Sequence, residues 1–305
     1  MKRNKRFYGL LAVTGLLISI YSCNGCDSKS TTEKDLLKGD TSFNDQLLDD
    51  FNKSKLIFYS LPSPLETATL IKKAGASFDV DLLNKVSNEP KYNTNMKMAL
   101  NLGIYSADMS YTSLFDQMQN TLNYMNASRK IAERLGVLGA IDENTIKKLE
   151  QNLNDRDVVM EIISETFMNS NAYLTENDRP ALMTMVLVGG WIEGLYIATQ
   201  LANGSIKENP VLIDRIVFQK LSLQTVINLL GTHKNNSDIE YMIGLMNELN
   251  DIYDEIKINN SKVEAETIPE QHVTILRSDS ETEITPEIFM RLVEKVKEIR
   301  SEFIS

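Results

Sequence analysis

Residues 181–202 read ALMTMVLVGGWIEGLYIATQLA, 22 residues with one charged side chain, Glu193. Asn177-Asp178-Arg179-Pro180 before it and Asn203-Gly204 after it are helix start and stop signals. A helix this long and apolar fits either a membrane span or the centre of a helical bundle. A mid-span carboxylate costs about 2.5 kcal/mol or more in lipid, so the central-helix reading is preferred. Gly190, Gly194 and Ala198 form a small-residue stripe at i, i+4 and i+8. Such a stripe lets a neighbouring helix backbone come close. Trp191 lies on a different face, suited to filling a large gap.

The segments on either side are also helical. Ser63, Pro64 and Glu66 make a capping box for a helix running to Ala74, with Lys72 and Lys73 at its end and Gly75 as its stop. Before it, Asp45 to Tyr59 reads as helix, although Leu56-Ile57-Phe58-Tyr59 also fits a short strand. From Asn95 to Leu135, Met98, Leu102, Tyr105, Met109, Phe115, Met118, Leu122 and Met125 recur mostly at three or four. This predicts one long helix, or two with a break near Asn126, ended by Gly136 and Gly139. Further helices are predicted from Asp142 to about Leu153, from Asp155 onward, from Pro210 to Leu230 with Gly231 as cap, and from Asn236-Ser237 to near Ile258. Residues 259–284 are polar and acidic, with a possible strand from His272 to Arg277. Thr285-Pro286 opens a last amphipathic helix, with Ile288, Phe289, Leu292, Val293, Val296, Ile299, Phe303 and Ile304 as its apolar stripe.

The expected fold class is therefore all-α, a single multi-helix domain of about eight or nine helices. The expected layout is an all-helical domain over 41–258, an acidic linker with a possible short strand over 259–284, and a C-terminal helix over 285–305 docking on the domain. The 14 glycines and 7 prolines in 305 residues are too few for a turn-dense all-β chain. No fixed-period repeat points to a solenoid.

The first 22 residues stand apart. Lys2, Arg3, Lys5 and Arg6 precede an uncharged, mostly apolar run from Phe7 to Tyr21, short for a span but right for a signal peptide. The run ends in Ile20-Tyr21-Ser22-Cys23, which resembles a bacterial lipobox. The resemblance implies a signal peptide over 1–22, lipidation of Cys23, and a flexible polar tether over 23–40. Three alternatives remain at this stage: cleavage before Cys26, a redox role for Cys23-Asn24-Gly25-Cys26, and a retained signal anchor. Removing 1–22 leaves 28 basic and 42 acidic residues, a net charge of −14, and no cysteine in the helical body. That charge argues against nucleic acid as a partner. The expected localisation is the cell envelope, lipid-anchored at an outer-membrane, periplasmic or surface face.

Glu193 is the chemical anomaly of the body, because a carboxylate in a central helix must be paired, hydrogen-bonded or neutral. A core ion pair or a tyrosine hydroxyl would satisfy it; a ligand-binding or catalytic role is the other reading. Asp108 is a second anomaly, in an apolar run with Tyr105 and Tyr111 at i−3 and i+3. Those three drift around a helix, so only adjacent members share a patch. Asp108 and Glu193 could meet across a helix pair as two acidic catalytic groups, or act as metal ligands. A di-iron bundle, however, needs Glu-x-x-His pairs, and neither His233 nor His272 has a Glu three residues before it. No HExxH, GxSxG, Walker A or GxGxxG pattern occurs. No metal and no cofactor is implied. The candidate site residues are Asp108, Glu193, Tyr105, Trp191 and Tyr196.

Three stretches carry a family resemblance: Tyr59-Ser60-Leu61-Pro62-Ser63-Pro64-Leu65-Glu66, Ala99-Leu100-Asn101-Leu102-Gly103-Ile104-Tyr105-Ser106-Ala107-Asp108, and Gly189-Gly190-Trp191-Ile192-Glu193-Gly194-Leu195-Tyr196. Together they resemble Bacteroidetes-type bacterial envelope lipoproteins, a family with no assigned activity. The likeness spans roughly residues 56–201 and implies localisation and a whole-domain reading, but no functional residue. The expectation for function is a membrane-anchored, non-enzymatic binding or scaffold protein, with an envelope protein or a small apolar ligand as partner. The alternative is a hydrolase or a lipid- or small-ligand-handling protein with a pocket around Glu193 and Asp108. A third reading makes the helical surface a docking platform.

Overall fold

The computed structural model describes residues 64–305, apart from 74, 138–142, 153–154, 177–178, 203–205, 261–263, 269–272 and 278–279. The signal peptide, Cys23, the tether, the helix expected over 45–59, Ser63 and His272 therefore lie outside the described residues. The described chain is all-α in class. Its helices are α1 (Pro64–Lys73), α2 (Asn95–Leu114), α3 (Met118–Leu135), α4 (Glu143–Gln151), α5 (Arg156–Glu176), α6 (Pro180–Leu201), α7 (Pro210–Gly231), α8 (Ser237–Asp254) and α9 (Pro286–Phe303).

Local chemistry sets the helix ends. The Thr94 hydroxyl accepts from Lys97 N–H at 3.2 Å, Asn209 Oδ1 from Leu212 N–H at 3.1 Å, and Thr285 Oγ1 from Ile288 N–H at 3.3 Å. Proline takes the first position of α6, α7 and α9. Gly136 stops α3 in the left-handed region. The long 95–135 segment breaks at Phe115–Gln117 rather than near Asn126, and Asp116 there takes φ 58°. The apolar spacing widens to six residues between Met109 and Phe115, so the helical period is interrupted there. Gly231 is the last residue of α7 rather than its left-handed cap, and α8 stops at Asp254, short of Ile258.

The 257–283 segment differs most from expectation. Its described residues form two antiparallel strand pairs: β1 (Lys257–Asn260) pairs with β4 (Ser280–Glu283), and β2 (Glu264–Ile268) pairs with β3 (Val273–Arg277). The strand expected over His272–Arg277 is present as Val273–Arg277, and its partner comes from the same polar stretch. Thr282 Oγ1 on β4 donates to Asp214 Oδ1 on α7 at 2.9 Å, tying that strand to the helices.

At the centre of the helices α2 lies against α6, the most extensive helix pair, and α2 also packs on α3, α1 and α5. Both central helices are buried nearly all round. In the most apolar window of α6, 83% is covered by the rest of the protein, so its apolar surface faces other helices. The closest approach is made by Gly103 and Gly189. A Cβ on Gly103 would lie 1.9 Å from Val186 O, and one on Gly189 would lie 2.0 Å from Leu100 O. The backbone contact is thus made at Gly189, one residue before the expected stripe begins. Gly189 admits the α2 backbone, while Gly194 accommodates Thr67 of α1. The last helix, α9, packs on α6 and α8 and brings its C-terminal end over α2: Asn101 Nδ2 donates to Phe303 O at 2.7 Å.

Candidate functional site

One turn beyond Gly189, α6 carries Glu193, and α9 places Arg300 against it. Arg300 Nε donates to Glu193 Oε2 and Nη2 to Oε1, each at 2.9 Å, the two-pronged geometry in which guanidinium binds carboxylate best. Glu193 is wholly buried and Arg300 nearly so. Arg300 Nη2 also donates to Leu82 O at 3.1 Å, and its Cζ sits 4.5 Å from the centre of the Tyr196 ring. Burial alone would lower the Arg300 pKa, but the Glu193 carboxylate outweighs it and holds the guanidinium firmly charged.

Asp108 of α2 joins this pair. It is fully buried, and its Oδ2 accepts from Asn84 N–H at 3.2 Å. Its Oδ1 is buried with no hydrogen-bond partner, and Glu193 and Arg300 are its charged neighbours. Burial, then the Glu193 charge, push Asp108 well above the usual carboxylate range. Arg300 and the Asn84 N–H pull the other way without offsetting them.

A strap of two 3₁₀ turns, Val80–Leu82 and Val86–Lys91, covers the cluster. Buried Leu83 and a set of polar side chains hold it. Asn84 is its hub: the Tyr124 hydroxyl donates to its carbonyl at 3.1 Å, and its Nδ2 donates to Tyr92 Oη at 2.9 Å and to Asn101 Oδ1 at 3.0 Å. The Tyr105 hydroxyl donates to Lys85 O at 3.0 Å, and Arg134 pairs with the buried Glu89 at 2.7 Å. The rings of Tyr92, Tyr105 and Tyr124 pack at centroid distances of 5.6–6.2 Å. Burial raises the pKa of all three phenols, so each donates as a neutral hydroxyl.

Four of the five candidate residues therefore converge. Asp108 and Glu193 are neighbours in the same buried cluster, Tyr196 lies under Arg300, and Tyr105 anchors the strap beside Asp108. Trp191 does not join them. Its indole Nε1 donates to Gln219 Oε1 of α7 at 3.0 Å, and the ring lines a cleft between α1, α6 and α7 with Leu70, Ile71 and Ile216. Room of about 20 Å³ there suits one water, not a lipid chain. Tyr111 is also apart, accepting from Asp79 N–H and donating to Ser77 O, each at 3.1 Å.

Sequence reasoning missed Arg300, Asn84, Tyr92, Tyr124 and Asn101. Arg300 had a legible signal. It lies four residues after Val296 and seven after Val293, in phase with the apolar stripe of α9. Asn84 had none, because it sits in an irregular segment with no period to violate.

Chemically, two facing carboxyls resemble an acid–base pair. Here both are wholly buried, and the guanidinium occupies both Glu193 oxygens. No third His, Cys, Asp or Glu joins them among the described residues to make a metal site. No family model, curated protein or solved structure matches the chain.

Proposed function

We propose that this chain is a lipid-anchored envelope lipoprotein whose helical body is a non-enzymatic binding or scaffold module. The anchor reading rests on the basic start, the short apolar run and Cys23 behind Ile20-Tyr21-Ser22. The non-enzymatic reading is supported by one observation: Glu193, the most chemically suggestive residue of the sequence, is buried with both oxygens on Arg300. A general acid or base must come within hydrogen-bond reach of a substrate atom. Glu193 and Asp108 instead hold α6, α9 and the strap together. The hydrolase and lipid-handling alternative needs a cavity at this pair, and the geometry favours a structural clasp there. The acidic body suits a soluble module kept off anionic headgroups by its tether.

The anchor is tested by expressing the full chain in a bacterium fed radiolabelled palmitate. Wild type and Cys26→Ser are expected to take up label and sediment with membranes, and Cys23→Ser to do neither. Label retained by Cys23→Ser, or lost only in Cys26→Ser, would overturn the assignment.

A further inference from the structure

The cluster under the strap holds two carboxyls and one guanidinium, and the guanidinium is committed. Its Nε and Nη2 bind the two oxygens of Glu193, and Nη2 also reaches Leu82 O. Asp108 receives one backbone N–H, from Asn84, on Oδ2. Its Oδ1 is buried with no hydrogen-bond partner, and Glu193 and Arg300 are the charged groups beside it. Two ionised carboxylates cannot bond to each other, and at zero exposure neither water nor salt screens their repulsion. The contact is favourable only if one of them carries a proton, and Asp108 is the one without a cation on its oxygens.

We propose that Asp108 carries a proton and donates it from Oδ1 to Glu193, so that the cluster balances one negative against one positive charge and loosens when that proton leaves. The proton would pass to solvent as the strap lifts, leaving two buried carboxylates against Arg300. The other groups facing the cluster cannot compensate. Tyr105 on α2, Tyr124 on α3, Tyr92 on the strap and Tyr196 on α6 are all held neutral by burial. The same contacts make the proton a latch. Asp108 holds the strap at Asn84 N–H, Arg300 holds it at Leu82 O, and Arg300 also ties α9 to α6. Strap and C-terminal helix are therefore expected to loosen together on the alkaline side.

The sign follows from linkage. Folded Asp108 keeps its proton, whereas unfolded Asp108 releases it above about pH 4. Its contribution to stability is complete below that value and is lost as the pH rises. Asp108→Asn tests this cleanly, because an amide can donate to Glu193 and still accept from Asn84 without a charge to lose. Infrared spectra of the full chain in detergent micelles at neutral pH are expected to contain a protonated-carboxyl stretch that Asp108→Asn removes. In urea unfolding from about pH 5 to about pH 9, the wild-type folding constant is expected to fall up to about tenfold per pH unit relative to Asp108→Asn. Glu193→Gln supplies a second arm, since Asp108 then becomes the sole carboxylate facing Arg300 and the carboxyl stretch disappears there too. A wild-type spectrum without the stretch, a stretch surviving in both variants, or equal pH slopes for wild type and Asp108→Asn would overturn the proposal.

Discussion

Helix α6 is gripped in two different ways on successive turns. At Gly189 it meets α2 backbone to backbone, with no atom to spare on either side. At Glu193 it meets α9 through an ion pair that spans 107 residues of sequence. The first contact is steric: it depends on what is missing from two residues and is indifferent to pH and salt. The second is electrostatic and depends on how many protons the cluster holds. One helix thus has a part that can only fit or clash and a part whose strength can vary with conditions.

Breaking the steric grip should have the largest effect. Gly103→Ala puts a methyl 1.9 Å from Val186 O and 2.7 Å from Gly190 N, both backbone atoms that cannot rotate away. The expected loss exceeds about 4 kcal/mol, beyond ordinary overpacking, and the protein should fail to give a cooperative melting transition. A normal melt by circular dichroism would refute the close approach.

Breaking the ionic grip comes next. Arg300→Met leaves Glu193 buried without its counter-charge, for an expected loss of about 3–4 kcal/mol at neutral pH. Urea unfolding measures it, and Glu193→Leu in the same chain should recover part of the loss, because an apolar pair replaces an orphaned charge. An additive loss in the double variant would mean that the two side chains act separately.

The smallest effect sharpens the contrast by showing what the same chemistry does on the surface. Arg291 binds Glu255 in two-pronged fashion at 2.8 and 2.9 Å, with geometry as good as at Glu193, yet both side chains are exposed. Arg291→Gln should leave the melting temperature without a resolvable change at moderate salt. Burial, rather than hydrogen-bond geometry, would then account for the difference between the two pairs.

Much of the helical plan was legible because it depends on short-range chemistry. Asn209, Asn236 and Thr285 cap because of their own side chains and the next few N–H groups. The break at Phe115–Gln117 was present in the apolar spacing as the one six-residue step, although Asn126 looked the more obvious breaker. The strands were hard to read because their residues are mostly polar and charged: Glu264–Ile268 has no apolar alternation to mark it as the partner of Val273–Arg277. The candidate site divides the same way. Glu193 and Asp108 stood out as charges in apolar helices, whereas the strap residues carried no signature.

The sequence by itself determined that this is a helical chain, that α6 is its most apolar element, and that Glu193 would need a partner. Each follows from composition and period within one helix. Only the tertiary structure decided that the partner is Arg300, that Asp108 shares the same sealed space, and that Gly103 and Gly189 are where the α2 and α6 backbones leave no room for a side chain. Those contacts join positions about 85 to 107 residues apart. They exist because burying α6 on every side forces its one carboxylate to meet whatever charge the surrounding helices bring inward.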